Sequence, residues 1–130
     1  SNFKFSEING DAIDTSGTQV NINNGSINNI DDKAISIGEN SEINAENIII
    51  SDSLIGLAIK DNSLLNINKV SFRNNDTDIS AYLKKAYYKN GGTAYVNNYT
   101  PDTILIKKDK FSSLTLNEKE FKKINFTYPN

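Results

Sequence analysis

The sequence predicts an all-β solenoid, and three observations carry that prediction. First, the apolar pattern between residues 34 and 72 repeats after 22 residues, so that Ile35 is matched by Leu57. Second, apolar residues recur two apart within each copy, as in a strand with one buried face. Third, Gly, Asn, Asp and Ser separate the apolar segments, as expected at tight corners. Each copy therefore reads as three short strands joined by polar corners.

A period of about 22 residues with three strands in each turn is typical of a right-handed parallel β-helix, whose coils bury their apolar residues by stacking. About five coils cover residues 3–116. The inward side chains should form aliphatic columns. The predicted columns are Phe5, Ile27, Ile50 and Phe72; Ile13, Ile35, Leu57, Ile79 and Ile104; and Ile37, Ile59, Ala81 and Ile106. A leucine-rich repeat is set aside, because its spaced Leu and Asn signature is missing.

The first coil begins near residue 3, where Phe5 matches Ile27 at the same shift of 22. At the corner formed by residues 15–18 the shift grows to 23, so that Val20 matches Ile43. Corners can absorb such slips without disturbing the strands. Coil two is predicted over about 32–54 and coil three over about 55–76.

The fourth coil contains an insertion. Ile79 continues the series from Leu57 at 22, whereas Ala94 matches Leu65 only at a shift of 29. Extra residues should therefore protrude around 84–92, with Gly91 and Gly92 returning the chain to register. The fifth coil is predicted to start with Ile104 and Ile106.

The C-terminal segment, about 117–130, is predicted to cap the last coil. Asn117 stands three residues before Glu120, which resembles a capping box and predicts one short helix ending near Lys123. A solenoid needs such a cover, because its last coil exposes core side chains and unpaired strand edges. Phe121, Ile124 and Phe126 are the candidates for covering it.

Composition excludes several classes of function. The 130 residues suit one domain, and a net charge of −2 gives no general attraction to nucleic acid or anionic membranes. No Cys or His is present, which excludes disulfides, thiolate metal sites and the usual general base. No apolar run approaches the roughly 18 residues of a membrane span. Because Met is also missing, we interpret the chain as a single β-helix domain, residues 1–130, excised from a longer protein.

Two segments carry a family resemblance. "NINNGSINNIDDKAISI" and "IGLAIKDNSLLNINKVSFRNND" resemble right-handed parallel β-helix repeats, as in pectate lyases and phage tailspikes. "IGLAIKDNS" followed by "ISAYLKKAYYKNGG" resembles β-helical segments attached to larger extracellular bacterial proteins. The resemblance covers about residues 3–116. It implies the fold, a secreted or cell-surface location, and the other domains of a parent chain as neighbours.

The insertion is the first candidate site. Aromatic faces can pack on sugar rings, and ammonium groups can pair with uronate or sulfate oxygens. The predicted ligand-binding residues are Tyr82, Lys84, Lys85, Tyr87, Tyr88 and Lys89, close to Lys60, Lys107 and Lys108 of neighbouring coils. A polysaccharide or a surface protein is the expected partner. The alternative is that the tyrosines fold back over the coil and the lysines only keep the loop in solution.

An acidic row is the second candidate site. Clustered carboxylates beside Asn carbonyls are what Ca²⁺ requires, so calcium is the one cofactor that this row suggests. The candidate metal ligands are Asp31, Asp32, Asp76 and Asp78, with Asp52 in the same row. The alternative is that Asp serves as an ordinary corner residue, because its side chain bonds local backbone groups.

Asn40 and Asn62 are one period apart, so we expect their amides to form a hydrogen-bonded ladder between coils. This ladder should stabilise the rod and carry no function.

Three functions remain open. We expect a non-catalytic extracellular module that is structural or binds carbohydrate or protein. A polysaccharide lyase or glycoside hydrolase fragment is the alternative, with Arg73, Asp76 and Asp78, or Lys85, as candidate groups. No catalytic motif of those enzymes can be matched residue by residue, so no catalytic residue is assigned. A phage tail-fibre-like, self-assembling element is the third, because the first coil presents an open strand edge.

Overall fold

The computed structural model describes residues 2–129, which fold as an all-β solenoid of about five coils. The strands are β1 (Phe3–Ile8), β2 (Ile13–Ser16), β3 (Gln19–Gly38), β4 (Glu42–Lys60), β5 (Ser63–Arg73), β6 (Thr77–Tyr82), β7 (Gly92–Thr100), β8 (Ile106–Lys108), β9 (Ser113–Leu116) and β10 (Lys119–Glu120). A single 3₁₀ turn, Ala86–Tyr88, lies between β6 and β7. Strand pairs are parallel except β9 with β10.

The period of about 22 residues is confirmed by the strand register. Ile35 pairs with Leu57, and Ile43 with Leu65. The slip to 23 is confirmed by the pairing of Val20 with Ile43. The column of Phe5, Ile27, Ile50 and Phe72 is confirmed in full. Successive coils thus bury each other's apolar side chains.

The predicted start of the fifth coil is wrong by two residues. Ile106, rather than Ile104, pairs with Ile79, and Lys108 takes the place next to Ala81. The connection is longer than expected because Leu105 bonds to the preceding coil: its N–H donates to Asp78 Oδ2 (2.8 Å) and its carbonyl accepts from the Asp78 N–H. Alternation by two cannot distinguish these registers, since both place Ile residues inward.

Left-handed backbone forms many of the corners. Asn24, Asn47 and Asn98, with φ of 58°, 59° and 56°, occupy equivalent one-residue corners between strand segments. Asn tolerates this conformation better than most residues. The predicted ladder is also confirmed, because Asn62 Nδ2 donates to Asn40 Oδ1 at 2.5 Å.

The predicted C-terminal helix is wrong. β9 and β10 instead form an antiparallel hairpin whose two turn residues, Asn117 and Glu118, have φ of 48° and 67°. A right-handed helix cannot include two such residues, whereas a tight hairpin requires them. The Asn117 carboxamide does not cap a helix but accepts a hydrogen bond from the Asn98 N–H (2.8 Å).

The segment after β10 still covers the last coil, although in a different way from the prediction. Phe121 packs against the core, and its N–H donates to the Leu114 carbonyl at 2.8 Å. Ile124 is exposed, and Phe126 packs on Tyr82 outside the solenoid. Within residues 2–129, no helix is long and apolar enough to cross a membrane.

Candidate functional site

Two buried carboxylates hold the insertion between β6 and β7. Asp61, at the corner after β4, accepts hydrogen bonds on Oδ1 from the Lys84 and Lys85 N–H groups, at 2.8 and 2.9 Å. Asp109, in the coil that follows the insertion, accepts on Oδ2 from the Leu83 N–H at 2.7 Å. Asp61 is fully buried and Asp109 nearly so. The insertion is therefore clamped by the coil on each side of it.

Two glycines, Gly91 and Gly92, end the insertion where the chain enters β7. An added Cβ at Gly92 would overlap the carbonyl group of Ile59, and one at Gly91 would overlap the Ser112 hydroxyl. Only glycine allows so close an approach of the chain. Gly92 pairs with Ser63 in the first position of β7, which confirms the predicted return to register.

A surface ion pair links the insertion to the corner after β3. Lys85 Nζ lies 2.7 Å from Glu39 Oε2, and Glu39 Oε1 accepts a hydrogen bond from the Ser16 hydroxyl at 2.8 Å. The hydrogen bond from Lys85 lowers the pKa of Glu39, and the same bond raises the pKa of Lys85. Of the six predicted ligand residues, Lys85 is thus engaged with another coil.

Tyr87 and Tyr88 project from the 3₁₀ turn. Tyr87 is 86% exposed, and the two rings meet edge to face, with centroids 5.2 Å apart and an interplanar angle of 80°. Lys84 and Lys89 are exposed beside them. The insertion thus carries one exposed tyrosine, one half-buried tyrosine and two exposed lysines, and ligand binding by these residues stays a prediction.

Tyr82 lies elsewhere, in an aromatic stack that covers the outer face of β6. It is 4% exposed, its ring is parallel to Tyr128 at a centroid distance of 5.3 Å, and Phe126 packs edge-on at 5.5 Å. Burial raises the pKa of its hydroxyl. Lys107 lies over the Phe126 ring at 5.8 Å. Tyr82 thus anchors the C-terminal segment and presents little surface to a ligand.

The neighbouring lysines differ in their surroundings. Lys108 points inward, is nearly buried, and donates to the Asp109 carbonyl at 3.1 Å. Lys60 lies on the outer surface next to Tyr82, and its Nζ donates to the Ser36 hydroxyl at 2.5 Å. Burial lowers the pKa of Lys60. Of the three lysines predicted to flank the insertion, Lys108 is thus buried in the last coil, and Lys60 is held against Ser36 on the outer surface.

The aspartates of the acidic row lie in different surroundings. Asp31, Asp52 and Asp76 line a shallow cavity of about 340 Å³. Asp32 is paired with Lys33 at 3.1 Å, and Asp78 is buried, accepting from Asn75 Nδ2 at 3.1 Å and from the Leu105 N–H. Across residues 2–129 no group of three or more acidic side chains is arranged to hold a metal ion. Calcium binding by these residues stays a prediction.

Sequence reasoning missed a polar face on the second strand segment of the first three coils. Its outward amides form ladders: Asn44 Nδ2 donates to Asn21 Oδ1 (3.4 Å), and Asn66 Nδ2 to Asn44 Oδ1 (3.1 Å). They border a shallow groove of about 380 Å³ that also contacts Glu46 and Asn68. The 22-residue period could have revealed it, because it places Asn at the same outward position in successive coils.

Sequence reasoning also missed the residues that organise the Lys60 side of the insertion, namely Ser36, Gly38, Glu39 and Asp61. The available signal was the period itself, which places Lys60 beside Tyr82 and near Gly38. Comparison with protein families, curated proteins and solved structures found no match for this chain.

Proposed function

We propose that this chain is a right-handed parallel β-helix module that binds polysaccharide without transforming it, as part of a secreted or cell-surface bacterial protein. The handedness is supported by the general rule that crossovers between parallel strands of one sheet are right-handed. The surface location is supported by the sequence resemblance to β-helical segments of extracellular proteins.

The observation that carries the binding role is the exposure of Tyr87 on a turn whose base is fixed. A tyrosine that is 86% exposed contributes little to folding, yet two buried aspartates hold the backbone beneath it. Rigid presentation reduces the entropy lost when a ligand orders a loop. Tyrosine faces pack on the apolar faces of sugar rings, and the hydroxyl can still bond to water or sugar.

The test is retention of the purified domain on neutral and acidic polysaccharides, with quantification of bound protein and of released sugar. Replacing Tyr87 and Tyr88 together by Ala should weaken glycan binding about tenfold or more, because two stacking faces are lost. The melting temperature should stay within about 2 °C of the parent, since both side chains are at the surface. Leu54→Ala, which removes an exposed apolar side chain from a corner of β4, is the matched control.

The outcomes separate the candidate functions. Retention that the double variant loses and the control keeps supports the proposal. Shortened or unsaturated sugars in the supernatant would replace it with an enzyme. Absence of retention on every polysaccharide would leave a structural module or one that binds a surface protein.

A further inference from the structure

Lys60 lies flat across the outer surface of the preceding coil. Ser16 pairs with Gly38, and Lys60 pairs with Tyr82, so these residues form one outward row. A Cβ added at Gly38 would lie 3.2 Å from Lys60 Cε and 3.4 Å from Cγ. The Lys60 side chain therefore packs directly over Gly38, and Tyr82 occupies the equivalent position in the following coil.

The Lys60 ammonium group has no carboxylate partner among residues 2–129 within ion-pairing distance. In the described part of the chain, its one side-chain hydrogen bond is to the buried hydroxyl of Ser36. An ammonium group has three N–H donors, so two remain for another acceptor. By contrast, Lys33 is paired with Asp32, and Lys85 with Glu39.

The charged groups that act on this ammonium are two lysines and two aspartates. Burial lowers the pKa of Lys60, and the positive charges of Lys33 and Lys84 act in the same direction. Asp14 and Asp11 oppose them without forming an ion pair with Lys60. A half-buried cation without a counter-ion is costly to the folded protein, and a bound anion would remove that cost.

We propose that Lys60, held in place by its hydrogen bond to Ser36, forms a binding site for a single carboxylate group, carried by an acidic sugar of the polysaccharide that the insertion binds. This inference rests on the proposed function and adds to it the residue that recognises the acid. Lys60 supplies one ammonium charge here and therefore matches one carboxylate, whereas Lys33 and Lys85 are paired with Asp32 and Glu39. Charge-assisted hydrogen bonds from Nζ would hold the carboxylate oxygens.

Three variants test the site. Lys60→Met removes the charge and keeps the length of the side chain, Lys60→Arg keeps the charge, and Gly38→Ala displaces the lysine while keeping it in the chain. Affinity is measured by calorimetry for a glucuronate-containing oligosaccharide, for a neutral oligosaccharide of equal length, and for a sulfated one.

Lys60→Met should weaken binding of the glucuronate oligosaccharide about tenfold or more and leave the neutral one unchanged. Gly38→Ala should weaken the same ligand in the same direction, and Lys60→Arg should restore part of the affinity. Parental affinity of both Lys60→Met and Gly38→Ala for the glucuronate ligand would overturn the site. A preference for the sulfated ligand would overturn the carboxylate assignment.

A second measurement separates this inference from the proposed function. NMR titration of the lysine Cε and Hε signals follows Lys60 directly, with free glucuronate as the probe. Glucuronate should raise the pKa of Lys60, because a carboxylate stabilises the charged form. An unmoved Lys60 signal, with glycan retention still dependent on Tyr87 and Tyr88, would overturn this site and leave the polysaccharide module standing. A shifted Lys60 signal, with glycan retention that does not depend on Tyr87 and Tyr88, would overturn the binding role of the tyrosines and leave the carboxylate site standing.

Discussion

At the scale of single residues, Asn performs two tasks in this protein. It supplies left-handed backbone at equivalent corners, as at Asn24 and Asn47, and its amide then bonds the same residue one coil away, with Asn47 Nδ2 donating to Asn24 Oδ1 at 2.9 Å. The ladder satisfies polar groups that would otherwise compete for backbone partners. Among residues 2–129, eight Asn residues adopt such left-handed backbone.

The inward columns make single apolar residues decisive for stability. Ile59 is fully buried between Ile37 and Ala81. Ile59→Ala should lower the free energy of unfolding by about 2–5 kcal/mol, because it removes buried methyl groups and leaves a cavity. Ile49→Ala, at a position that is 39% exposed in β4, is the control and should cost less than about 1 kcal/mol. Equal losses in urea-induced unfolding would show that the inward and outward faces are wrongly assigned.

At the scale of elements, the insertion depends on residues outside it. Leu83, Lys84 and Lys85 donate their N–H groups to aspartates of other coils, so the 3₁₀ turn needs no capping side chain of its own. Local sequence could not reveal this clamp, because Asp61 and Asp109 lie more than twenty residues away from their partners.

Removal of Asp61 should release the insertion. Asp61→Ala leaves two backbone donors without their acceptor and should destabilise the protein by about 1–3 kcal/mol. Hydrogen exchange should accelerate at Lys84 and Lys85 more than at the strands. Asp61→Asn, which keeps an acceptor oxygen, should have a smaller effect, and Asp102→Ala, at an exposed carboxylate, should have none. Unchanged exchange at Lys84 and Lys85 in Asp61→Ala would contradict the clamp.

The C-terminal hairpin shows how tertiary context overrides a local signal. The spacing of Asn117 and Glu120 is that of a capping box, but β9 offers an unpaired edge at which β10 can add two residues. Pairing satisfies backbone groups that an isolated helical turn would leave open, and very short helices have little stability of their own.

At the scale of the whole molecule, the last coil is covered on two sides by the segment after β10. Phe121 packs against the core. The Asn125 side chain binds β8 by two hydrogen bonds of 2.8 Å: its Nδ2 donates to the Ile106 carbonyl, and its Oδ1 accepts from the Lys108 N–H. Phe126 and Tyr128 then pack against Tyr82 on the outer surface. This segment therefore joins the end of the rod to its side.

Deletion of residues 121–130 should uncover Leu114 at the end of the rod and Tyr82 on its side. We expect a melting temperature roughly 10 °C lower, corresponding to a loss of about 2–3 kcal/mol, together with binding of a hydrophobic dye. Ile124→Ala changes an exposed side chain in the same segment and should melt like the parent. A truncated protein that melts at the parental temperature would show that the segment is not a cover.

Much of the fold could be predicted because stacked coils place equivalent residues one period apart. The 22-residue repeat, the slip at the 15–18 corner and the insertion before β7 all follow from matching apolar residues along the chain, and each is confirmed. The register of β8 could not be derived in this way. Alternation repeats every two residues, and only the hydrogen bonds between Leu105 and Asp78 select one of the two registers.

Local alternation and a constant period are enough to predict the repeating architecture and the inward columns of the first four coils, because both depend only on spacing along the chain. Tertiary structure alone decided which charges meet. It paired Lys85 with Glu39, buried Asp61 and Tyr82, and left Lys60 beside Ser36 with no carboxylate of residues 2–129 at ion-pairing distance. The physical reason is that ion pairing depends on distances between coils, and those distances are established only when the chain has wound around its core.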